Sequence, residues 1–347
     1  MKKKKINLAQ IREVQTDFFA NHKQLIKILF SVFWLGVIGY ILYLGWESRI
    51  QLLYYIKNAE WSQFILVVFI YIATIVLASS IWTVIIQAFD DSLNWWTHIQ
   101  VYFVTLMSRR LPGTVWYIGG RIFLYNRFGV SGIKVTSASG VELVISFVAN
   151  CILAMLLLPF GLGISKYWFI PFLLASLLGL FILKPSNLEK IMIKLKRPLS
   201  RQINKWQIAL WLFLRLALVL TGGLMIFFTI RIFTPIGIES LLLVLGARAL
   251  SGAAGMLTYL LPSSMGASDL TLLAMLSTII PTPLATVIAL LVRIYTTLFE
   301  LIIGFIFFIL LNKSFPFSKL KSAEEEVPEE KLNDENSEKE LQEYRSR

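Results

Sequence analysis

Cysteine is nearly absent from this 347-residue chain: Cys151 stands alone, so no disulfide can close within it. Cys151 lies inside an apolar run and reads as a small buried apolar residue. Histidine is almost as scarce. His22 and His98 are too far apart in sequence to read as a metal pair, and no Cys/His cluster offers a zinc site. Charged residues make up only 16% of the chain, against about 25% in soluble domains. The phosphate loop G-x-x-x-x-G-K-[ST], the zinc helix H-E-x-x-H and the nucleophile elbow G-x-S-x-G do not occur. These gaps exclude a disulfide-stapled scaffold, a P-loop nucleotide hydrolase, a zinc protease and an α/β-hydrolase. No cofactor, metal or catalytic residue is expected, and the chain reads as a non-enzyme.

What is plentiful is apolar sequence. Hydrophobic residues reach 56% and the mean hydropathy is +0.69. They come in long runs, and about 18 apolar residues suffice to cross a bilayer as a helix. Six runs predict full spans: 27–46, 61–87, 138–160, 167–183, 206–232 and 283–311. Two more stretches, 98–127 and 240–281, are apolar but interrupted, at Arg109 to Gly113 and at Leu261 to Gly266. Pro112 and Pro262 lack a backbone donor, while Gly113 and Gly266 permit unusual backbone angles, so both stretches predict broken helices. Residues 1–26 form a basic, amphipathic head, 27–312 a transmembrane domain, and 313–347 an acidic tail expected to be disordered. The first run follows a charged front without a small-residue cleavage pattern, which predicts a retained span. The expected fold is all-α: a polytopic helix bundle of about six spans and two broken re-entrant hairpins.

Charge placement predicts the path through the membrane. The net charge is +12, and because the tail holds seven basic and ten acidic residues, the remainder carries +15. In a soluble protein that excess suggests nucleic acid; beside apolar spans it follows the positive-inside rule, and nucleic acid is not expected as a partner. The head, residues 121–137 and the basic loop 184–205 all read as cytoplasmic, whereas 46–60 and 231–239 are balanced and suit the outside. These assignments hold together only if 98–127 enters and returns on one side. The second broken stretch must likewise end where it starts, as a re-entrant hairpin or as two short crossings. Each half, 27–160 and 167–311, then runs as two spans, a broken hairpin and one span, in opposite orientation. That is an inverted-topology repeat, a plan that puts a binding site between the halves. Both termini are expected in the cytoplasm, and the plasma membrane is the expected location.

Ionisable residues at membrane depth are costly and mark function by default. Arg109 and Arg110 abut the first break, where arginine's planar fork and free backbone donors suit an anionic headgroup. With Pro112, Gly113, Arg121 and Arg248 they form the expected headgroup or anion site. Glu142, Asp269, Arg293 and Glu300 are expected to compensate buried charge; Asp269 has Arg248 and Arg293 as candidate partners, and Arg293 and Glu300 share one helix face. Ser251 and Gly255, in the small-residue run 246–255, fit close helix packing. Tryptophans near span ends, such as Trp61, Trp95 and Trp96, fit an interfacial belt.

Two stretches, RRLPGTVWYIGGRIFLYNRFGV (109–130) followed by Glu142 and ARALSGAAGMLTYLLPSSMGASDLTLLAML (247–276) followed by Arg293, resemble the lysylphosphatidylglycerol synthase transmembrane-region family of flippase-like membrane proteins. Pro112, Gly113, Arg121, Pro262 and Gly266 match its pattern. Asp269 stands where a glutamate is usual, Ser263-Ser264 replaces Gly-Gly, and Ile145 and Ser146 stand where a second acid is common. The resemblance implies lipid translocation, or support of lipid and glycolipid assembly, by the membrane region alone. The large aminoacyl-transfer domain that some members carry has no counterpart in the 35 residues of the tail. Substrates expected on that footing are an anionic phospholipid, a glycolipid or a polyprenyl-linked lipid. The alternatives are a non-catalytic partner of a glycosyltransferase or other lipid-synthesis enzyme, and a membrane-embedded transferase. Membrane lipids are the expected partners, with a homo-oligomer left open.

Overall fold

The computed structural model describes residues 49–109, 114–162, 167, 169–194, 203–257 and 264–314. The expected first span, the head, the tail and the break residues Arg110, Pro112, Gly113 and Pro262 lie outside them. Among the described residues there is no strand; the chain folds as α1 (Arg49–Lys57), α2 (Ser62–Phe89), α3 (Trp95–Arg109), α4 (Thr114–Arg127), α5 (Gly132–Leu162), α6 (Phe169–Leu183), α7 (Pro185–Lys194), α8 (Lys205–Phe233), α9 (Leu241–Leu257), α10 (Ser264–Leu276) and α11 (Thr282–Ser314). A 3-10 turn, Ile238–Ser240, leads into α9.

Helices α2, α5, α8 and α11 are long and apolar enough to cross a membrane, as is Ile238–Leu257. This is a multi-pass, all-α membrane bundle. Helix α2 shows how the sequence sorts core from lipid. Ile65, Phe69, Ile72 and Val76 form an exposed stripe at helical spacing, while Val67, Tyr71, Ile75, Ile81, Trp82, Ile85 and Ile86 face inward and are buried.

Two features differ from the sequence expectation. Residues 185–194, expected within a loop, form α7, which leaves the axis of α6 at 64°. Pro185 causes the bend: it has no N–H to donate to the Phe181 carbonyl, yet it is well tolerated at the first turn of a new helix. The Phe181 carbonyl accepts instead from Asn187 Nδ2 at 2.6 Å. The two broken stretches are also unequal. The arms α3 and α4 have 15 and 14 residues, about 20 Å each, well short of a bilayer of about 30 Å. The first arm of the second stretch, counted from Ile238, is 20 residues and long enough to cross alone.

The packing follows one scheme. Take α2, α3, α4 and α5 as counterparts of α8, α9, α10 and α11. Helix α3 packs on α11, and its counterpart α9 packs on α5; α3 packs on α4 as α9 on α10, and α4 on α5 as α10 on α11; α2 and α8 pack on each other. Exchanging the two sets maps these contacts onto one another, and each hairpin lies against the last span of the other set; the close α5–α8 packing is not matched between α11 and α2. Glycine permits both of these crossings. A β-carbon at Gly304 of α11 would lie 2.5 Å from Met107 Cγ and 3.1 Å from the Phe103 carbonyl oxygen on α3. One at Gly246 of α9 would lie 2.9 Å from Leu158 Cδ2 on α5.

Gly304→Val should therefore destabilise the purified protein by about 1–3 kcal/mol, the cost of overpacking a filled contact. Gly140→Ala, where a β-carbon meets nothing within 4 Å, should be neutral or stabilising by up to about 1 kcal/mol. Unfolding of the detergent-solubilised protein measures both, and equal effects would contradict the packing described.

Candidate functional site

The most buried charged residue among those described is Arg121, in the middle of α4 and fully enclosed. Its Nη1 donates to Glu142 Oε2 of α5 at 2.6 Å. Its Nη2 donates to the Tyr117 hydroxyl, one turn earlier on the same helix. The guanidinium carbon lies 3.6 Å from the centre of the Trp82 ring of α2, 4.1 Å from that of Tyr117 and 5.5 Å from that of Tyr102 of α3. Four helices thus close around one cation. The negative ring faces and the carboxylate replace the water that it has lost.

A second layer fixes the cage. Trp82 Nε1 donates to the Tyr125 hydroxyl at 2.9 Å, and His98 Nδ1 lies 2.9 Å from the same oxygen. Trp82, His98 and Tyr125 are all fully buried. The face of Trp82 that carries Arg121 is held by its own edge. At the end of α2, Lys134 Nζ of α5 reaches Asp90 Oδ2 at 2.8 Å, and Ser92 donates to Asp90 Oδ1 from both its N–H and its hydroxyl.

The second hairpin carries a pair in the corresponding place with the charges exchanged. Asp269 of α10 meets Arg293 of α11, an ion pair between the second hairpin arm and the following span, as Arg121 and Glu142 are. The side chains of the first pair are 0% and 11% exposed; those of the second, Arg293 and Asp269, are 29% and 40% exposed. The arms of this hairpin are tied by Ser251, whose hydroxyl donates to the Ser268 carbonyl at 2.8 Å.

The sequence-predicted residues are thus distributed over several places. Arg121 and Glu142 come together, as do Asp269 and Arg293, so of the two partners left open for Asp269 it is Arg293 that is found. Arg109 closes α3, Gly266 lies in the first turn of α10, and Arg110, Pro112, Gly113 and Pro262 lie outside the described residues. Arg248 is half-buried on α9, where β-carbons at Gly222 and Gly252 would lie 3.2 Å from its Nε and 3.1 Å from its Nη1. Glu300 is buried on α11. Sequence reasoning passed over Trp82, His98, Tyr102, Tyr117 and Tyr125. One signal was available: Trp82 sits inside a span, away from the end where an interfacial belt would place it. Spacing gave a second signal: Tyr117, Arg121 and Tyr125 recur every four residues on one face of α4, as His98 and Tyr102 do on α3. Among the described residues no group of His, Cys, Asp and Glu could hold a metal ion. No family model, curated protein or solved structure matches the chain.

The two pairs should respond differently to neutralisation. Glu142→Gln strands a fully buried cation and should cost about 3–5 kcal/mol in unfolding free energy. Asp269→Asn should cost clearly less, since that pair is less enclosed by the protein. Similar losses would refute the distinction.

Asp90 gives a test with pH. Burial pushes its carboxyl up, but the bonds from Lys134 and Ser92 outweigh this and hold it below the ordinary value of 3.8. A lowered folded-state value means that the stabilisation is complete above pH 3.8 and is lost as pH falls through the folded value. Lys134→Gln should raise the folded-state value and so shrink this part of the acid limb of unfolding, and Asp90→Asn should remove it. An acid limb unchanged in both variants would exclude the contribution.

Proposed function

We propose that this chain is a lipid-handling membrane transporter, a flippase acting on a phospholipid, glycolipid or polyprenyl-linked lipid. The observation that carries the reading is the exchange-symmetric pair of broken hairpins, each tied by an ion pair to the span that follows it. Repeats of opposite orientation with interrupted helices are the architecture of carriers, with binding between the repeats near the midplane. The positive-inside rule supports the opposite orientation: Arg127 and the basic segment after α6 share one side only if the first hairpin turns back. The resemblance of 109–130 and 247–276 to the lysylphosphatidylglycerol synthase transmembrane region points to lipid as the cargo.

On this reading the first hairpin dips from the cytoplasmic face and the second from the outer face of the plasma membrane. The buried Arg121–Glu142 pair stabilises the hairpin–span contact on one side, and Asp269–Arg293 does so on the other. Rocking one set against the other exchanges which contact is closed, so that a headgroup held between them changes sides. Arg109, Arg110 and Arg248 supply further cations for an anionic headgroup. The chain's own residues bind and orient; the energy comes from an existing gradient, or the movement is passive.

Purified protein in liposomes tests this directly. Headgroup movement of a fluorescent phospholipid should exceed that of empty liposomes. It should fall several-fold in Asp269→Asn and return in the charge-exchanged variant Asp269→Arg with Arg293→Asp. Movement no faster than in empty liposomes, or unaffected by Asp269→Asn, would sink the proposal. Turnover of a labelled lipid donor without movement would assign a transferase instead.

A further inference from the structure

The link from α6 to α8 holds a feature that the transport reading does not use. The outer face of α6 suits hydrocarbon: Ile170, Leu174, Leu177, Leu178 and Phe181 are all exposed along it. Lys184, also exposed, is the first charged residue after this run, so the membrane surface lies at the elbow before α7. The start of α8 agrees. Lys205 is exposed there and Trp206 is 82% exposed, a lysine–tryptophan pair that suits a bilayer interface. Asn204 fixes that start: its Oδ1 accepts from the Gln207 N–H at 3.0 Å, and its own N–H donates to Gln207 Oε1 at 2.8 Å.

The elbow is stitched by hydrogen bonds. The Phe181 carbonyl accepts from the Lys184 N–H at 3.3 Å as well as from Asn187 Nδ2, and the Lys184 carbonyl accepts from the N–H groups of Asn187 and Leu188 at 2.8 and 3.0 Å. Only Lys184 separates the two helices, so these bonds set the 64° angle between them. That angle decides where α7 runs. Its ten residues rise about 15 Å along the helix axis; in line with α6 they would carry the chain about that far into water, but at 64° they climb only about 7 Å. The headgroup layer on each side of the hydrocarbon is about 5–8 Å deep. With α6 near the membrane normal, α7 stays within that layer over its whole length. Its side chains fit the layer. Leu188 is buried, and Ile191, three positions on and thus on the same side, is 45% exposed. Ser186, Glu189 and Lys190 are exposed on the opposite side, where Ile193 in the last turn is the one exposed apolar residue.

We propose that α7 is an in-plane helix docked on the anionic headgroup layer of the inner leaflet, with Ile191 at the acyl boundary and Lys184 and Lys190 among the headgroups. The sign of the partner follows from the sequence: residues 184–205 hold seven basic residues and one acid, Glu189. A neutral surface would seat Ile191 but offer this charge no attraction. The ten acids of 313–347 would answer the charge, but not the apolar side or the in-plane angle. The partner is the charged surface as a whole. No lipid is held in a pocket or carried across, so the inference goes beyond the transport reading and stands without it.

The test uses the full-length chain in nanodiscs of phosphatidylcholine, with phosphatidylglycerol added or left out. Cys151→Ala combined with Ser186→Cys or Ile191→Cys puts a single nitroxide on one or the other side of α7. In anionic nanodiscs the label at 191 should be relaxed mainly by oxygen, which concentrates in hydrocarbon, and the label at 186 mainly by a water-soluble nickel chelate. The ratio of docked to undocked α7, read at 191, should fall about fivefold for each of Lys184→Gln and Lys190→Gln. It should also fall without phosphatidylglycerol, and when salt shortens the screening length to about 3 Å. A label at Ile72→Cys, on the exposed stripe of α2, should favour oxygen in every variant, which shows that the bundle is folded and inserted. Equal nickel access at 186 and 191 places α7 in water and overturns the proposal. The same docked ratio in both nanodiscs overturns it too, because the surface charge then plays no part. Nickel access at 191 that rises when residues 318–347 are deleted assigns the site to the chain's own acidic tail instead. Transport fails separately: a protein that moves no lipid leaves the docking standing, and an undocked α7 in a protein that moves lipid refutes the docking alone.

Discussion

The described bundle depends on a guanidinium that has been taken entirely out of water. Burying an isolated ion in a medium of low dielectric costs far more than a protein's net stability, so Arg121 can be fully enclosed only if its surroundings are built for it. Glu142 supplies the countercharge and Tyr117 a hydrogen bond, while Trp82 and Tyr102 supply ring faces. Because these groups come from α2, α3, α4 and α5, the cation specifies how the first hairpin is docked as well as that it is docked. A slide of α4 by one turn would move Arg121 away from both Glu142 and Trp82. The His98–Tyr125–Trp82 chain then makes sense as support: it stops the platform under the cation from turning.

The same logic, weakened, governs the second hairpin. Asp269 and Arg293 occupy the corresponding junction with their signs exchanged, which keeps the pair attractive while altering which helix carries the cation. Each hairpin is also laid across the other set's last span, α3 on α11 and α9 on α5, at crossings that admit no β-carbon at Gly304 or Gly246. The two sets therefore hold each other's broken helices. Short arms of about 20 Å, such as α3 and α4, could not sit at membrane depth alone; their exposed ends need a protein wall, and the other set provides part of it.

How much of this was legible in the sequence follows from the nature of each signal. Runs of apolar residues are a local property, so α2, α8 and α11 appear within three residues of their expected limits, while α5 starts six residues early. The tilt at Pro185 was legible in principle, but a run of lysines masked it as a loop. Pairings were less accessible. Arg121 and Glu142 are separated by 21 positions and Asp269 and Arg293 by 24, and a helix wheel does not join residues on different helices. The aromatic cage was least accessible. Tryptophan and tyrosine in a membrane chain usually mark the interface; the mid-span place of Trp82 and the four-residue spacing of Tyr117, Arg121 and Tyr125 hinted otherwise, and the fold shows that they meet around one cation.

The unequal exposure of the two ion pairs makes the two junctions unequal. Separating Arg121 from Glu142 would leave two charges in a dry interior, at a cost of several kcal/mol that no nearby water offsets. Asp269 and Arg293 are less enclosed, their side chains 40% and 29% exposed, so fewer protein groups hold that pair in place. The first hairpin is thus the more firmly enclosed of the two in the described arrangement. For water to reach Arg121 it would have to pass the rings of Trp82, Tyr102 and Tyr117. The two hairpin–span junctions are thus alike in plan and unequal in how tightly the protein closes around them.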